Sequence, residues 1–194
     1  MRAARRSSIV AILLLLSAGS ASAQDSFEDG LWGYLGLGMG VATIRCSACT
    51  SSGRFTGPEW SAQVGGTANR HLRIGLSLDE WWHPGCDKWT KTVSGSLLYY
   101  PLTVRRGLFV EGGPALSRVV VWLNDSAGLA RHGWGFTAAV GYNHVPQRIV
   151  LLAPRLAYSY SSVGTIYYPL GSTNAFAKRW RHSVVSLGMG VGLD

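Results

Sequence analysis

From residue 183 to the end of the chain, large apolar side chains alternate with glycine or serine. Successive side chains of a strand point to opposite faces, so one face of this segment is apolar and the other is nearly bare. The same pattern recurs near the start, over residues 35–41. Two such segments at opposite ends of a chain are suited to pair and close a narrow barrel whose apolar face meets lipid. The pattern predicts a membrane-spanning barrel.

The first 23 residues have the organisation of a secretory signal peptide. Arginines precede a short apolar run from Ile9 to Leu16, and Ala21-Ser22-Ala23 forms a small-residue cleavage site. The apolar run is shorter than the roughly 20 residues that a helix needs to cross a bilayer. The sequence therefore predicts a signal peptide over 1–23 and one exported domain over 24–194.

Eight segments of strand character follow, separated by turn residues such as proline, glycine and asparagine. They are 31–45, 58–68, 71–82, 90–102, 108–122, 133–144, 149–162 and 180–193. Each reaches the roughly 9–11 residues of a tilted spanning strand, and short turns alternate with longer loops. An even strand number with this alternation is typical of bacterial outer-membrane proteins. We predict an all-β fold, an eight-stranded antiparallel up-and-down transmembrane β-barrel.

The aromatic residues gather near the ends of the predicted strands, which suggests two interfacial belts. If the short turns face the periplasm, seven of the eight tryptophans lie near the outer ends. These are Trp60, Trp81, Trp82, Trp89, Trp122, Trp134 and Trp180. The residues near the inner ends are Trp32, Tyr34, Tyr99, Tyr100 and Tyr142.

With these features the chain resembles the small eight-stranded bacterial outer-membrane β-barrel family, which includes the transmembrane domain of outer-membrane protein A. The resemblance covers residues 24–194 and rests on the strand count, on segments 108–115 and 152–160, and on the final strand. It implies a location in the cell outer membrane, contact with outer-membrane lipid, and insertion by the outer-membrane assembly machinery. Such chains usually end in an aromatic residue that this machinery recognises, whereas this one ends in Leu193-Asp194.

Four charged side chains share the face that carries glycine and serine, and so point into the predicted lumen. They are Arg73, Asp79, Glu111 and Arg155. The interior of an eight-stranded barrel is just wide enough for its own side chains, and a buried charge must be paired. We expect an ion-pair plug in a packed polar lumen rather than a general diffusion pore. A gated proton or ion path would need a wider barrel.

The glycines of the first and last strands leave a second possibility open. Those at positions 36, 38, 40, 188, 190 and 192 line one stretch of wall, and related barrels that modify lipids hold an acyl chain in such a space. The chain would then be a barrel enzyme or a lipid-binding protein. Alternatively, Leu98, Tyr100, Gln63 and Arg155 fill the space. A third interpretation is a secreted soluble barrel that binds a small apolar ligand.

Three cysteines lie in predicted loops on the same side of the membrane. Cys46 and Cys49 lie in the first long loop and Cys86 in the second, so Cys86 could pair with either, or the first two with each other. His83 would complete a tetrahedral zinc set with them. An oxidising compartment argues against that set, so we expect no metal and no cofactor.

The remaining polar residues do not form a recognisable catalytic or nucleic-acid site. Charged residues are only 14% of the chain, so no nucleic acid is expected as a partner. The clusters Arg105-Arg106 and 178–181 are interpreted as solvated loop ends, although basic clusters at a barrel rim could also meet anionic lipid headgroups. His182, Ser183 and Glu80 can be drawn as a triad, but neighbouring strand residues face opposite ways. The histidines are interpreted as solvated rim residues. We expect a structural or interaction role through four outer loops, with an unidentified partner, and no catalytic residues.

Overall fold

A computed structural model describes residues 30–45, 53–84, 88–102, 107–124, 127–144, 150–167 and 175–193. The predicted signal peptide lies outside the described residues, as do Cys46, Cys49 and Cys86. The domain boundary at residue 24 therefore stays a prediction.

Eight strands form one closed antiparallel barrel, in which each strand pairs with the next and the first pairs with the last. This confirms the predicted all-β fold and strand number. No helix in the described part of the chain is long and apolar enough to cross a bilayer. The strands are β1 Leu31–Arg45, β2 Gly53–Asn69, β3 Leu72–His83, β4 Lys88–Tyr99, β5 Gly107–Asn124, β6 Ala127–Asn143, β7 Val150–Tyr167 and β8 Ala175–Leu193.

The barrel closes between β1 and β8, as the two glycine-rich patterns predict. Gly36 lies opposite Gly190 and Gly38 opposite Gly188 in the register of this pair. A Cβ atom added to Gly38 would lie 2.6 Å from the carbonyl oxygen of Leu187. Only glycine lets the two backbones approach this closely.

The exterior of the barrel is apolar, because the outward positions of the strands carry the large aliphatic residues. Leu37 is 73% exposed and Leu187 is 66% exposed, while their inward neighbours are buried or half-buried. A soluble barrel would bury these side chains. An apolar outer face of this kind contacts hydrocarbon, so the barrel spans a membrane.

The outer hairpins are more ordered than predicted, because the loops expected at 124–132 and 163–179 are largely strand. β5 and β6 stay paired up to Asn124 and Ala127, which leaves two residues between them. β7 extends to Tyr167 and β8 begins at Ala175. Turn-forming residues are scattered over both regions, but backbone pairing continues past several of them, such as Gly128 and Gly164.

The predicted aromatic belts are only partly correct. Trp134, Tyr99 and Tyr142 are exposed on the outer face, as a belt requires. Five others of the predicted belt residues occupy inward positions instead, namely Trp32, Tyr34, Tyr100, Trp81 and Trp180. The prediction used the position of each residue along its strand and ignored the face, which is set by odd or even position.

Candidate functional site in the barrel lumen

The centre of the lumen holds an ion-pair cluster built from β3, β5 and β7. Arg155 Nε donates a hydrogen bond to Glu111 Oε2 at 3.0 Å, and Arg155 Nη1 donates one to Asp79 Oδ1 at 3.2 Å. The Arg155 side chain is only 5% exposed. Three of the four charged residues assigned to the lumen therefore lie together, and one guanidinium joins the two carboxylates.

Neutral side chains complete the hydrogen bonding of Glu111. Gln63 Nε2 donates to Oε1 at 3.0 Å, and Ser96 Oγ donates to the same oxygen at 2.9 Å. A carboxylate buried without such partners would be strongly unfavourable. The donors come from β2 and β4, so the Glu111 carboxylate ties together strands on several sides of the barrel.

Arg73, the fourth predicted member, packs against two aromatic rings of the lumen. It is buried, its Nε donates to Thr67 Oγ1 at 3.3 Å, and its guanidinium lies 5.6 Å from the ring centroids of both Trp32 and Tyr100. Asp79 lies six positions further along β3, or about 20 Å along the strand. The sequence pattern fixes the face of a side chain but not its height in the barrel.

Buried hydroxyl groups line the wall from β3 to β6. Ser77 Oγ lies 2.5 Å from Ser94 Oγ, and Thr137 Oγ1 donates to Ser94 Oγ at 3.2 Å. Thr92 and Ser117 form a second pair at 2.9 Å. These hydroxyl groups hydrogen-bond to one another, so few of their donors and acceptors need water as a partner.

Glu59 is an inward carboxylate that our sequence analysis missed. It lies on β2, and Ser186 Oγ donates a hydrogen bond to its Oε1 at 2.9 Å. The alternation of side chains in β2 identifies Glu59 as inward, because it has the same odd parity as Ser61 and Gln63, both of which are buried in the lumen.

The lumen is polar at its centre, but both of its ends are apolar. At the end near the chain termini, a cluster of buried side chains fills the barrel: Trp32, Leu98, Tyr100, Phe109, Leu151 and Ala153. At the outer end, Ala42, Trp81 and Val184 pack together with Phe55. Apolar side chains at the two ends enclose the charged centre and shield it from bulk water.

The glycine-lined wall accommodates a tyrosine ring rather than an acyl chain. Tyr34 packs against it: a Cβ atom on Gly190 would lie 2.3 Å from Tyr34 Cζ, and one on Gly36 would lie 2.8 Å from the hydroxyl oxygen. The Tyr34 hydroxyl donates to the carbonyl oxygen of Ala153 at 3.4 Å.

The space left beside Glu59 is about 10 Å³. A second space, inside the inner apolar cluster, is about 20 Å³. Each holds about one water molecule.

His182 is buried, so its interpretation as a solvated rim residue is wrong. The residue is 3% exposed, and neither ring nitrogen hydrogen-bonds to a described residue. It shares the inward parity of Val184 and Ser186, and its register partner on β7 is Ser161. No triad forms, because Ser183 lies on the outward face and Glu80 accepts a hydrogen bond from Trp89 Nε1 on the exterior.

His83, the histidine of the possible zinc set, is engaged by the barrel wall. Its Nδ1 lies 2.8 Å from the carbonyl oxygen of Thr56, and its ring stacks on Trp81 at a centroid distance of 6.4 Å. Within the described ranges, no three His, Cys, Asp or Glu residues are placed to hold a metal ion. The cysteine part of the zinc set and the disulfide pairing lie outside the described residues.

Comparison with known proteins gives the fold. No family model matches the chain, and no curated protein matches it either. The solved structure of Neisserial surface protein A, NspA, superimposes with a TM-score of 0.53 at 19% identity, covering 82% of this chain and 96% of that one. The outer-membrane protein AlkL in lipid bilayers gives a TM-score of 0.49 at 12% identity, with 89% and 94% covered. OprG from Pseudomonas aeruginosa gives 0.47 at 12% identity, with 86% and 97% covered.

The closed eight-stranded topology, the apolar exterior and the superposition on NspA agree with one another. The resemblance predicted from the sequence is confirmed at the level of the fold. The chain is an eight-stranded transmembrane β-barrel with the fold of the small bacterial outer-membrane proteins.

Proposed function

We propose that this chain is an outer-membrane barrel with a closed lumen that serves a structural or interaction role through its outer hairpins. It is not a general diffusion pore. The observation that carries the proposal is the ion-pair cluster of Arg155, Glu111 and Asp79, which spans the lumen between two apolar ends. A solute crossing the barrel would have to break buried ion pairs, and this is strongly unfavourable.

The outer end offers a surface for interaction. The pairing of β5 with β4 extends to Val121, and that of β6 with β7 begins at Trp134. Beyond these positions β5 and β6 continue to pair with each other up to Asn124 and Ala127. Like β7 and β8, which pair up to Tyr167 and Ala175, these strands form a two-stranded ribbon beyond the pairing with their other neighbours. Exposed strand edges are a common means of peptide recognition. This supports a partner at the outer surface.

The filled lumen argues against the two alternative interpretations. An acyl chain or a small apolar ligand needs a cavity of hundreds of Å³. The lumen spaces beside Tyr34 and inside the inner apolar cluster are far smaller. A secreted soluble barrel would also turn its aliphatic residues inward, opposite to the arrangement of Leu37 and Leu187. These observations support a membrane protein whose two described lumen spaces are too small for a lipid chain.

A liposome-swelling assay tests the closed lumen. Purified protein is refolded into liposomes that contain a small sugar, and a porin is the positive control. We expect swelling no faster than in protein-free liposomes, because the charged centre and both ends are filled. Sugar permeation at a porin-like rate would overturn the proposal.

Epitope insertion tests the orientation of the hairpins. The full chain carries a short tag between Asp125 and Ser126, in the connection of β5 and β6. We expect an antibody to label intact cells. A matched variant carries the same tag at Arg70, in the short turn between β2 and β3, and should be labelled only after permeabilisation. The reverse pattern would place the hairpins in the periplasm and contradict an outer-surface role.

A further inference from the structure

Two arginines lie directly opposite each other on the exterior of the barrel, near its outer end. Arg45 of β1 and Arg181 of β8 are register partners, and both are exposed on the outward face. Arg54 of β2 is also outward and exposed, and its register partner Thr43 is two residues from Arg45. Facing side chains in a strand pair lie about 5 Å apart and diagonal ones about 7–8 Å. The three residues therefore form one patch across three adjacent strands.

This patch, Arg45, Arg54 and Arg181, has no carboxylate to balance it in the described part of the barrel. Of the four described acidic residues, Glu59, Asp79 and Glu111 point into the lumen, and only Glu80 lies on the exterior. Glu80 is on β3, where its register partner is Lys91. Like charges directly opposite each other destabilise a strand pair. A bound anion removes that repulsion.

Along the strands away from the patch, the outward side chains change from charged to hydroxyl to apolar. A membrane lipid changes in the same order, from its headgroup to its acyl chains. Next to the arginines along the strands come hydroxyl side chains, Thr43 on β1 and Ser183 on β8. The following outward residues are Val41 and Val185, which begin the exposed apolar face that continues to Leu187. A lipid with its acyl chains along this face would bring its headgroup to the level of the arginines.

We propose that Arg45, Arg54 and Arg181 bind the phosphate group of a membrane lipid in the outer leaflet. Guanidinium groups suit this ligand because their planar N–H donors match phosphate oxygens two at a time. The proposal rests on the membrane placement in the proposed function and specifies its lipid partner. It also revises the interpretation of the cluster at 178–181 as a solvated loop end, since Arg181 lies within a strand.

The chain provides a matched control. Lys91 and Arg118 are also outward register partners near the outer end, on β4 and β5, but Lys91 has Glu80 beside it on β3. The variants R45Q/R181Q and K91Q/R118Q thus each remove two facing cations. Only Arg45 and Arg181 belong to the patch, which has no described carboxylate beside it.

The test measures binding of lipid A, a phosphorylated glycolipid, to the refolded protein in neutral detergent micelles by native mass spectrometry. Each cation near an anionic lipid surface contributes about 1 kcal/mol, so we expect R45Q/R181Q to weaken binding at least about 10-fold. K91Q/R118Q should change it less than about 3-fold, because Glu80 already offsets the charge of Lys91 and neither cation lies in the patch. Lipid A without its phosphates should bind wild type as weakly as lipid A binds R45Q/R181Q. Inorganic phosphate at the same concentration as lipid A should not displace it.

Several outcomes would overturn the proposal: unchanged binding in R45Q/R181Q, equal weakening in both variants, tight binding of the dephosphorylated lipid, or displacement by inorganic phosphate. If R45Q/R181Q does not fold, R45K/R181K replaces it, since lysine keeps the charge and loses the planar donors. Its binding should still be weaker than wild type, and wild-type binding would contradict phosphate recognition by guanidinium. Heat-modifiable migration on gels checks barrel formation separately. A folded barrel that fails to bind lipid A refutes this site alone, whereas a chain that forms no barrel refutes the proposed function.

Discussion

Arg155 Nε donates a hydrogen bond to Glu111 Oε2 at 3.0 Å, which joins β7 to β5 across the inside of the barrel. The pair is 44 residues apart in the chain, and no stretch of strand ladder links β5 directly to β7. Asp79 of β3 accepts from the same guanidinium. The lumen is thus cross-linked by side chains as well as closed by backbone pairing.

Arg155→Met should destabilise the barrel strongly, because it leaves the Glu111 and Asp79 carboxylates buried without their cation. Removing one partner of a buried ion pair costs about 3–5 kcal/mol of unfolding free energy. The measurement is urea unfolding of the refolded protein in micelles. Arg118→Met, on the exposed exterior, should change the free energy by less than about 0.5 kcal/mol. The triple variant R155M/E111Q/D79N should recover part of the loss, and a triple variant less stable than Arg155→Met would refute the explanation.

Gly135→Ala should disrupt the pairing of β6 with β7. A Cβ atom at Gly135 would lie 1.7 Å from the carbonyl oxygen of Tyr160, so the backbone itself must move. Overpacking of this kind costs about 1–3 kcal/mol or more. The readout is the temperature at which the folded, fast-migrating gel band disappears.

Gly66→Ala is the control, since nothing lies within 4 Å of a Cβ atom at Gly66. Its effect should stay below about 1 kcal/mol. Similar melting temperatures for the two variants would show that the close approach at Gly135 is not a constraint.

His182→Leu should leave stability unchanged or raise it. Both ring nitrogens are buried, and neither has a hydrogen bond to a described residue, so leucine removes no protein contact of that kind. Gln63→Leu is the matched change, because Gln63 is also buried and inward but donates to Glu111. It should cost about 1–3 kcal/mol. Urea midpoints compare the two, and a larger loss in His182→Leu would mean that the imidazole has a binding partner.

The side-chain pattern predicted the barrel well, because alternation fixes which face of a strand meets lipid. The bounds predicted for β1, 31–45, are those of the structure, and the closing pair of β1 and β8 follows from their matching glycines. The charges of Asp79, Glu111 and Arg155 on the inward face were also placed by parity.

The height of a side chain along the barrel was not predictable from parity. Arg73 shares a face with Asp79 but packs on Trp32 and Tyr100 at the inner end, because strand tilt and register decide which residues meet. The extensions of the strands at the outer end of the barrel were not predicted, for a different reason. Hydrogen-bonded pairing of β5 and β6 continues to Asn124 and Ala127, and backbone pairing by itself leaves no pattern in the sequence.

Leu98→Ala and Leu97→Ala provide a direct test of which side of the wall is packed with protein. Leu98 is buried against Trp32, Tyr100 and Phe109, so its truncation leaves a cavity between fixed side chains. Leu97, the next residue on β4, is about half exposed on the outer face, where mobile lipid or detergent tails refill the space. Both changes lose apolar burial, but only Leu98→Ala carries the cavity cost, so its unfolding free energy should fall by about 1–3 kcal/mol more. Urea unfolding in the same micelles measures the difference. An equal loss in the two variants would mean that the inner apolar cluster is not packed as described, and a larger loss at Leu97 would indicate that protein rather than lipid covers the exterior.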